Sequence, residues 1–324
     1  MSAPFVDIVV LNYDGWRDTV ACVRSLERSS HRAFRIIVVD NASTDDSWSR
    51  LLEVFGDQAL VVERPDAPRE GAGPRRADLV LLRSPVNGGF AAGNNLGMRY
   101  ALETGRAAYI WLLNNDTEAA PDALAELVAA QERARAAGTR LGLLGAKLLE
   151  RTPPGTLQGV GGRIHPWLGT TSHVGQGASD DGRFDRPAAH PIDYPIGASL
   201  MFPAAFVRDV GPLCEDYFLY YEEIDWVRRG AARGWSVSYC PSARVTHAVG
   251  AAAGSSDQGH GKSRTADFYG LRSRILFMRR FHPRRLWLVR ASFLLVALRR
   301  CLRFQFDRLP LVLRAMRGRE GDRL

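Results

Sequence analysis

The sequence predicts an α/β fold with a mostly parallel central sheet flanked by helices. Two observations carry that reading. Apolar runs of strand length alternate with stretches of helical period through residues 5–146. Four of those runs end in Asn, Asp, Gly or Ser, which suits strands whose carboxyl ends line a ligand crevice.

The elements follow in order. Residues 5–11 (FVDIVVL) read as a buried strand. Residues 16–29 read as a helix, with Val20, Val23 and Leu26 on one face. Residues 35–40 (RIIVVD) give the second strand, and 47–55 a short helix. The third strand is 78–82 (DLVLL), followed by a helix over 91–104. The fourth is 109–113, followed by a helix over 121–135 with proline at its first position. Residues 141–146 give another strand, and residues 235–240 are strand-like. Between 64 and 76, Pro, Gly and charge predict a disordered surface insertion.

The strand ends hold the chemistry. They carry Asn12-Tyr13-Asp14-Gly15, then Asp40 to Asp45, then the glycine cluster from Asn87 to Asn95, then Asn114-Asn115-Asp116. Each alone is ordinary turn and cap chemistry. Recurrence along one edge points to a ligand. A P-loop (GxxxxGK[ST]) is absent, and the first turn, LNYDGW, is not a GxGxxG dinucleotide fingerprint. There is no GxSxG elbow or Cys–His motif for a protein nucleophile.

Composition bounds the partners. The chain has 324 residues, is 46% hydrophobic, and carries a formal net charge of +8. Lys147 and Lys262 are its two lysines, so the positive charge is almost all arginine. Basic character suits an anionic partner. No RNP, KH, zinc-finger or helix-turn-helix signature supports nucleic acid, so none is expected as a partner. The four cysteines are scattered, which suggests a reduced cytoplasmic protein without structural zinc. The N-terminus lacks a signal-peptide pattern, and no uncharged run reaches the roughly 18–20 residues of a membrane span.

LNYDGW, VVDNASTDDS, NGGFAAGNNLG and WLLNND, in that order, resemble the family 2 glycosyltransferases, more narrowly their rhamnosyltransferase-like branch. The later run from GASLMF through YYEEIDWVRRG to THAVG is similar too, so the likeness covers roughly residues 5–280. It implies a GT-A fold, a nucleotide-diphosphate sugar donor and inversion at the anomeric carbon. By position it assigns donor binding to Leu11, Asn12, Tyr13, Asp40, Asn41, Gly89, Asn94, Asn95, Asn114 and Asn115. It places the metal motif on Asn114-Asn115-Asp116, with Asp116 the main ligand of Mg²⁺ or Mn²⁺ and His247 completing the site. A departing diphosphate gains negative charge, which a divalent cation with hard oxygen ligands stabilises.

YYEEIDWVRRG opens a helix near Glu222. Acids in a first helical turn are favoured by the helix dipole, by ~0.3–1 kcal/mol each. Three acids in four residues exceed that need. The resemblance makes Glu223 the catalytic base, with Glu222 and Asp225 orienting the acceptor or the helix. An ordinary glutamate titrates near ~4.3, so Glu223 is expected to be ionised at neutral pH. Residues 159–195 read as loops and short strands that help form an acceptor pocket in the family, with His165, Trp167 and Tyr194 as candidates. Cys214 stands where the branch usually has aspartate, a departure on the acceptor side.

From Leu271 onward, arginines interleave with Leu, Phe, Trp and Val. That pattern suits basic amphipathic helices on an anionic membrane surface; packing on the main domain is the competing reading. The expected organisation is a transferase domain over 1–265, with a donor half at 1–120 and an acceptor half at 121–265, then a helical extension over 266–324. The expected function is metal-dependent transfer of a sugar, rhamnose from dTDP-rhamnose by resemblance. The acceptor is a hydroxyl of a glycan or lipid-linked molecule, in bacterial surface-polysaccharide or cell-wall synthesis. The expected place is the cytoplasmic face of the plasma membrane. A non-catalytic sugar-nucleotide binder and a basic nucleic-acid binder are the rival classes.

Overall fold

The computed structural model describes residues 3–63, 78–248 and 263–317. The first strand, β1 (Val6–Asn12), sits inside a sheet, and Val6 to Val10 are fully enclosed. Its side chains still alternate. Val9 joins the apolar layer on one face of the sheet, while Ile8 and Val10 join the layer on the other. A strand covered on both faces therefore reads as a continuous apolar run, which is why FVDIVVL shows no polar alternation.

The chain continues through α1 (Trp16–Glu27), β2 (Phe34–Asp40), α2 (Ser47–Phe55), β3 (Leu60–Val62), β4 (Leu79–Arg83), α3 (Gly89–Thr104) and β5 (Tyr109–Asn114). Strands β3, β4, β2, β1 and β5 lie side by side in that order, all parallel. The second half adds β6 (Thr117–Ala119), α4 (Ala123–Ala136), β7 (Leu141–Glu150), β8 (Leu157–Gly159), β9 (Gly161–Ile164), β10 (Thr171–Val174), β11 (Ser199–Pro203), α5 (Ala204–Val210), α6 (Glu222–Ala231) and β12 (Ser236–His247). The sheet then runs β5, β11, β7, β12, β6. In this half β11 is antiparallel to both neighbours, β7 and β12 are parallel, and β6 is antiparallel to β12. β9 and β10 form a separate hairpin.

The expected alternation and parallel sheet are present. Three details differ. Pro121 does not open α4; Asp122 caps it and the helix begins at Ala123. The strand expected at 235–240 runs on to His247, kept in the sheet by pairing with β7 on one side and β6 on the other. β3, β6 and α5 were not expected, because two three-residue strands and a seven-residue helix are too short for a period to register. The insertion expected at 64–76 lies outside the described residues.

Of the C-terminal helices, the first packs on the main domain, as in the competing reading above. They are α7 (Arg264–Phe281), α8 (Leu286–Leu302) and α9 (Leu309–Arg317). α7 does not lie on the surface. Phe268, Tyr269, Ile275, Phe277 and Met278 are buried in the same apolar layer as Val9 and Leu112. A boundary at 265/266 therefore cuts through one packed core. Arginines within α7 disguise this in the sequence, because buried Arg274 is satisfied by Leu168 O at 2.6 Å and Ser292 Oγ at 2.7 Å.

One buried ion pair ties β1 to β2. Arg35 donates to both Asp7 oxygens, at 2.8 and 2.9 Å, and to Thr104 Oγ1 at 2.8 Å. Burial raises the Asp7 carboxyl, and Arg35 partly offsets that. Arg35→Met strands a buried carboxylate and should destabilise the fold by about 3–5 kcal/mol. Adding Asp7→Leu should recover most of that loss, read from urea unfolding midpoints.

Candidate active site

The carboxyl ends of β1, β2 and β5 meet at one edge. Asn12 is buried there and its amide is fully engaged: Nδ2 donates to Asp40 Oδ1 at 2.8 Å and Ser43 Oγ at 3.0 Å, and Oδ1 accepts from Thr19 at 2.7 Å. Ser43 also donates to Asp40, at 2.5 Å from Oγ and 3.2 Å from the backbone N–H. The loop after β1 is locked to the loop after β2, because Asp14 accepts from the Thr44 N–H at 2.6 Å and its hydroxyl at 3.0 Å. Asn41 donates to Asn87 and to Gly89 O, while its own buried Oδ1 has no partner. That acceptor is available to a ligand at the edge. The glycines of the cluster let α3 sit close. A Cβ at Gly97 would stand 2.4 Å from Val9 Cγ1.

The end of β5 turns through Asn114-Asn115-Asp116 into β6. Asn115 bonds Gly15 O at 3.2 Å and Thr19 Oγ1 at 3.1 Å, so it braces the turn against α1. Asp116 is 5% exposed. β6 pairs with the far end of β12 in a register that sets Thr117 opposite His247, and Ala248 N–H bonds Asp116 O at 2.9 Å. His247 Nε2 thereby stands 3.1 Å from Asp116 Oδ1.

The tautomer decides what this contact is. His247 Nδ1 lies 2.7 Å from Gln158 Oε1, an acceptor, so Nδ1 carries the hydrogen. In the neutral ring Nε2 then presents a lone pair to a carboxylate oxygen that accepts no hydrogen bond. A proton on Nε2, or a cation held between the two atoms, satisfies both. A divalent ion with ligand bonds of about 2.0–2.2 Å places two cis donors roughly 3 Å apart, close to the spacing here. The donor set fits Mg²⁺ or Mn²⁺, with Gln158 fixing the ring from behind. Among the described residues no set of three His, Cys, Asp or Glu forms a complete cage. Two protein ligands would leave positions for phosphate oxygens, as Mg²⁺ sites commonly do.

The second half of the site is the start of α6. Tyr220 and Tyr221 both adopt left-handed backbone, at φ 68° and 74°. Such conformations cost on the order of 1–3 kcal/mol each for residues other than glycine. The surroundings hold the turn: Tyr221 OH donates to Gly169 O at 2.6 Å, and Phe218 O accepts from Phe90 N at 2.8 Å. Gly89, at φ +85°, makes the second contact possible, since a Cβ there would fall 2.2 Å from Phe218 O. The strained turn thus joins the start of α3 to the start of α6.

Glu223 emerges from this turn beside Gly197, whose Cβ would lie 3.8 Å from the Glu223 carboxyl carbon. The next residue, Ala198, accepts from Asn114 N at 3.0 Å. Glu223 and Asp116 therefore flank the same strand end. The glutamate is not the ordinary carboxyl expected from the sequence. Burial pushes it up to about 7, although the N–H groups of Glu223 and Ile224 pull it back. Glu222 is raised well above the usual range, by burial first and then by the charge of Glu223. One oxygen of Glu222 is buried without a partner.

Other expected site residues take different positions. Asp225 is enclosed and bonded to Arg229 at 2.5 Å and Arg280 at 3.2 Å, so it anchors α6 to α7 rather than facing a ligand. Asn95 ties α3 to the chain before α6, through Leu213 and Glu215. Asn94 Nδ2 bonds Phe90 O within its own helix at 3.0 Å. Leu11 packs against the core, and Tyr13 lies half-buried at the loop. His165 accepts from the N–H groups of Trp167 and Leu168 at the tip of the β9–β10 hairpin. Tyr194 is buried against Gly162, and its hydroxyl is raised by burial and by the Glu223 charge. Cys214 receives Arg280 at 3.0 Å. Gln158 and Gly197 carried no sequence signal: each becomes significant only through a partner 89 or 26 positions away.

Known proteins resemble this chain in sequence and in fold. Residues 7–147 match the family model described as glycosyl transferase family 2. Over 223 residues the chain is 24% identical to the low-salt glycan biosynthesis hexosyltransferase Agl10 of Haloferax volcanii, covering 65% of this chain and 66% of the relative. It is also 24% identical to the N-acetylglucosaminyl-diphospho-decaprenol L-rhamnosyltransferase of Mycobacterium tuberculosis, covering 74% and 75%. Among solved structures, GalNAc-T7 with UDP, GalNAc and Mn²⁺ superposes with a TM-score of 0.57 at 14% identity, over 76% of this chain and 44% of that one. S. aureus TarS 1–349 with UDP-GlcNAc gives 0.52 at 13%, over 85% and 66%. These likenesses establish a GT-A fold. The chain spans just under two thirds of the hexosyltransferase and less than half of GalNAc-T7.

The raised carboxyl has a consequence for stability. Its folded value, about 7, lies above the ordinary 4.5, so the folded state holds an extra proton between those limits. Stability is lost as pH rises through that window. Glu223→Gln should match the parent in thermal melting below pH ~4.5 and exceed it by a few degrees above pH ~7. An advantage independent of pH would contradict the assignment.

Proposed function

We propose that this chain, whose residues 7–147 match the glycosyl transferase family 2 model, transfers a sugar with inversion from a nucleotide-diphosphate donor to an acceptor hydroxyl. The observation that carries the reading is the pairing of Asp116 and His247, aimed at one point, with the raised carboxyl of Glu223 on the same strand end. The M. tuberculosis relative, by its name, handles rhamnose and a decaprenol diphosphate. That supports rhamnose from dTDP-rhamnose as the donor and a lipid-linked glycan as the acceptor. On this reading the activity belongs to surface-polysaccharide or cell-wall assembly, at an anionic membrane on the cytoplasmic side.

In this mechanism the Asn12–Asp40–Ser43 cluster and Asn41 take the nucleoside end of the donor. Asp116 Oδ1 and His247 Nε2 would hold a divalent cation, which neutralises charge on the departing diphosphate. Glu223 accepts the proton of the acceptor hydroxyl as its oxygen bonds the anomeric carbon. The bond from that carbon to the diphosphate breaks on the opposite face, and the electron pair leaves with the nucleotide. A base near pH 7 balances ionisation against proton affinity better than an ordinary glutamate. Glu222 bears on this balance, because any charge it carries raises its neighbour. No protein nucleophile is required.

Three measurements test the reading. Glu223→Gln should retain sugar-nucleotide binding and lose transfer by roughly 10²–10⁴-fold. Normal transfer by that variant would remove the base. In the parent protein, kcat/KM should rise with pH and level off above about 7, since the base must be ionised. Asp116→Ala should abolish the Mn²⁺-dependent part of the thermal shift given by dTDP-, UDP- or GDP-sugars, and the sugar nucleotide giving the largest shift names the donor.

A further inference from the structure

The outer face of α8 is apolar, and nothing among the described residues covers it. Trp287, Leu294, Leu295, Leu298 and Leu302 are 55–70% exposed, and Ala291 between them is exposed too. Taking Trp287 as position i, they fall at i, i+4, i+7, i+8, i+11 and i+15. At 100° per residue that is one stripe, roughly 100° wide. Exposed Arg290 borders one edge of it, and exposed Arg299 and Arg303 border the other. The stripe continues past the helix. Phe304 is 83% exposed in left-handed backbone at φ 57°, and Phe306 is 56% exposed. A bulky side chain held outward in that conformation is an outlier in water. Exposed Trp167, beneath Arg285 at 4.5 Å, extends the surface from the hairpin tip.

The inner face, by contrast, is pinned. Val289 and Phe293 are buried, and Arg300 makes two 2.6 Å bonds to Asp267 of α7. α8 is therefore a fixed helix with a free face. The stretches outside the described residues, 1–2, 64–77, 249–262 and 318–324, contain few large apolar residues (Met1, Val249 and Leu324), too few to cover it.

We propose that the α8 stripe, with Phe304, Phe306 and Trp167, docks this protein onto an anionic lipid surface. The inference rests on the membrane reading given above and assigns it to one face of one helix. Charge selects the occupant. In a second copy packed face to face, the bordering arginines would confront one another. Anionic headgroups instead pair with them while acyl chains take the apolar stripe. No helix among the described residues is long and apolar enough to cross a membrane, so the helix lies in the interface. The hairpin bearing Trp167 also accepts the Tyr221 hydrogen bond at Gly169, so the docked surface is joined directly to the turn that presents Glu223.

Flotation of the full chain with phosphatidylglycerol–phosphatidylcholine vesicles, and with phosphatidylcholine alone, tests this. Binding should be about ten-fold or more stronger to the anionic vesicles. Leu294→Asp with Leu298→Asp should reduce it by a similar factor, as should Arg290→Glu with Arg299→Glu, all without change in thermal melting. Stripe variants that float like the parent would overturn the docking face, as would a dimer in sedimentation that Leu294→Asp dissociates. Sugar-nucleotide binding, read in parallel without vesicles, should be unchanged in every variant. Its absence in the parent would overturn the transferase reading, whatever the vesicles show.

Discussion

A buried carboxylate oxygen and an imidazole nitrogen face each other at 3.1 Å, an approach that a proton or a bound cation has to bridge. Much of the second half of the molecule arranges that encounter. β12 must run twelve residues to deliver His247, β6 must pair with its end, and Gln158 on β8 must hold the ring. β8 in turn is held by β7, which also pairs with β12. Removing any of these leaves Asp116 at the strand end but releases its partner.

The acid side depends on a different constraint. A turn with two consecutive left-handed tyrosines persists only if the structure around it compensates. Here three separate elements do so: α3 through Phe90 N–H, the β9–β10 hairpin through Gly169, and α7 through Ser273, which donates to Leu219 O at 2.9 Å. The turn places Glu222 and Glu223 at a buried helix start, where burial raises both carboxyls. The proposed transfer calls for a base that can take a proton near neutrality, and burial at this turn makes Glu223 such a carboxyl.

The sequence made some parts of the site visible and hid others. Strand ends rich in Asn and Asp were legible because parallel strands place their carboxyl ends together, so position along the chain translates directly into position in space. Asp116 and the acids of α6 stood out for that reason. Asp225 and Asn95 looked equivalent to their neighbours, yet Arg229 and Arg280 occupy one and Leu213 and Glu215 the other. Composition cannot show which amide or carboxylate is already bonded. The basic C-terminal segment misled for a related reason: arginines in α7 read as surface, but carbonyls and hydroxyls from distant segments satisfy Arg274 inside the core.

By itself the sequence determined the alternating α/β order and the polar edge, and it singled out Asp116 and Glu223 as candidates, because local period and strand-end chemistry are written in neighbouring residues. Tertiary structure alone decided the rest. It paired His247 with Asp116, raised Glu223, and buried α7 while leaving one face of α8 bare. Those outcomes depend on the distance, burial and hydrogen bonding of residues far apart along the chain, and no local pattern encodes them.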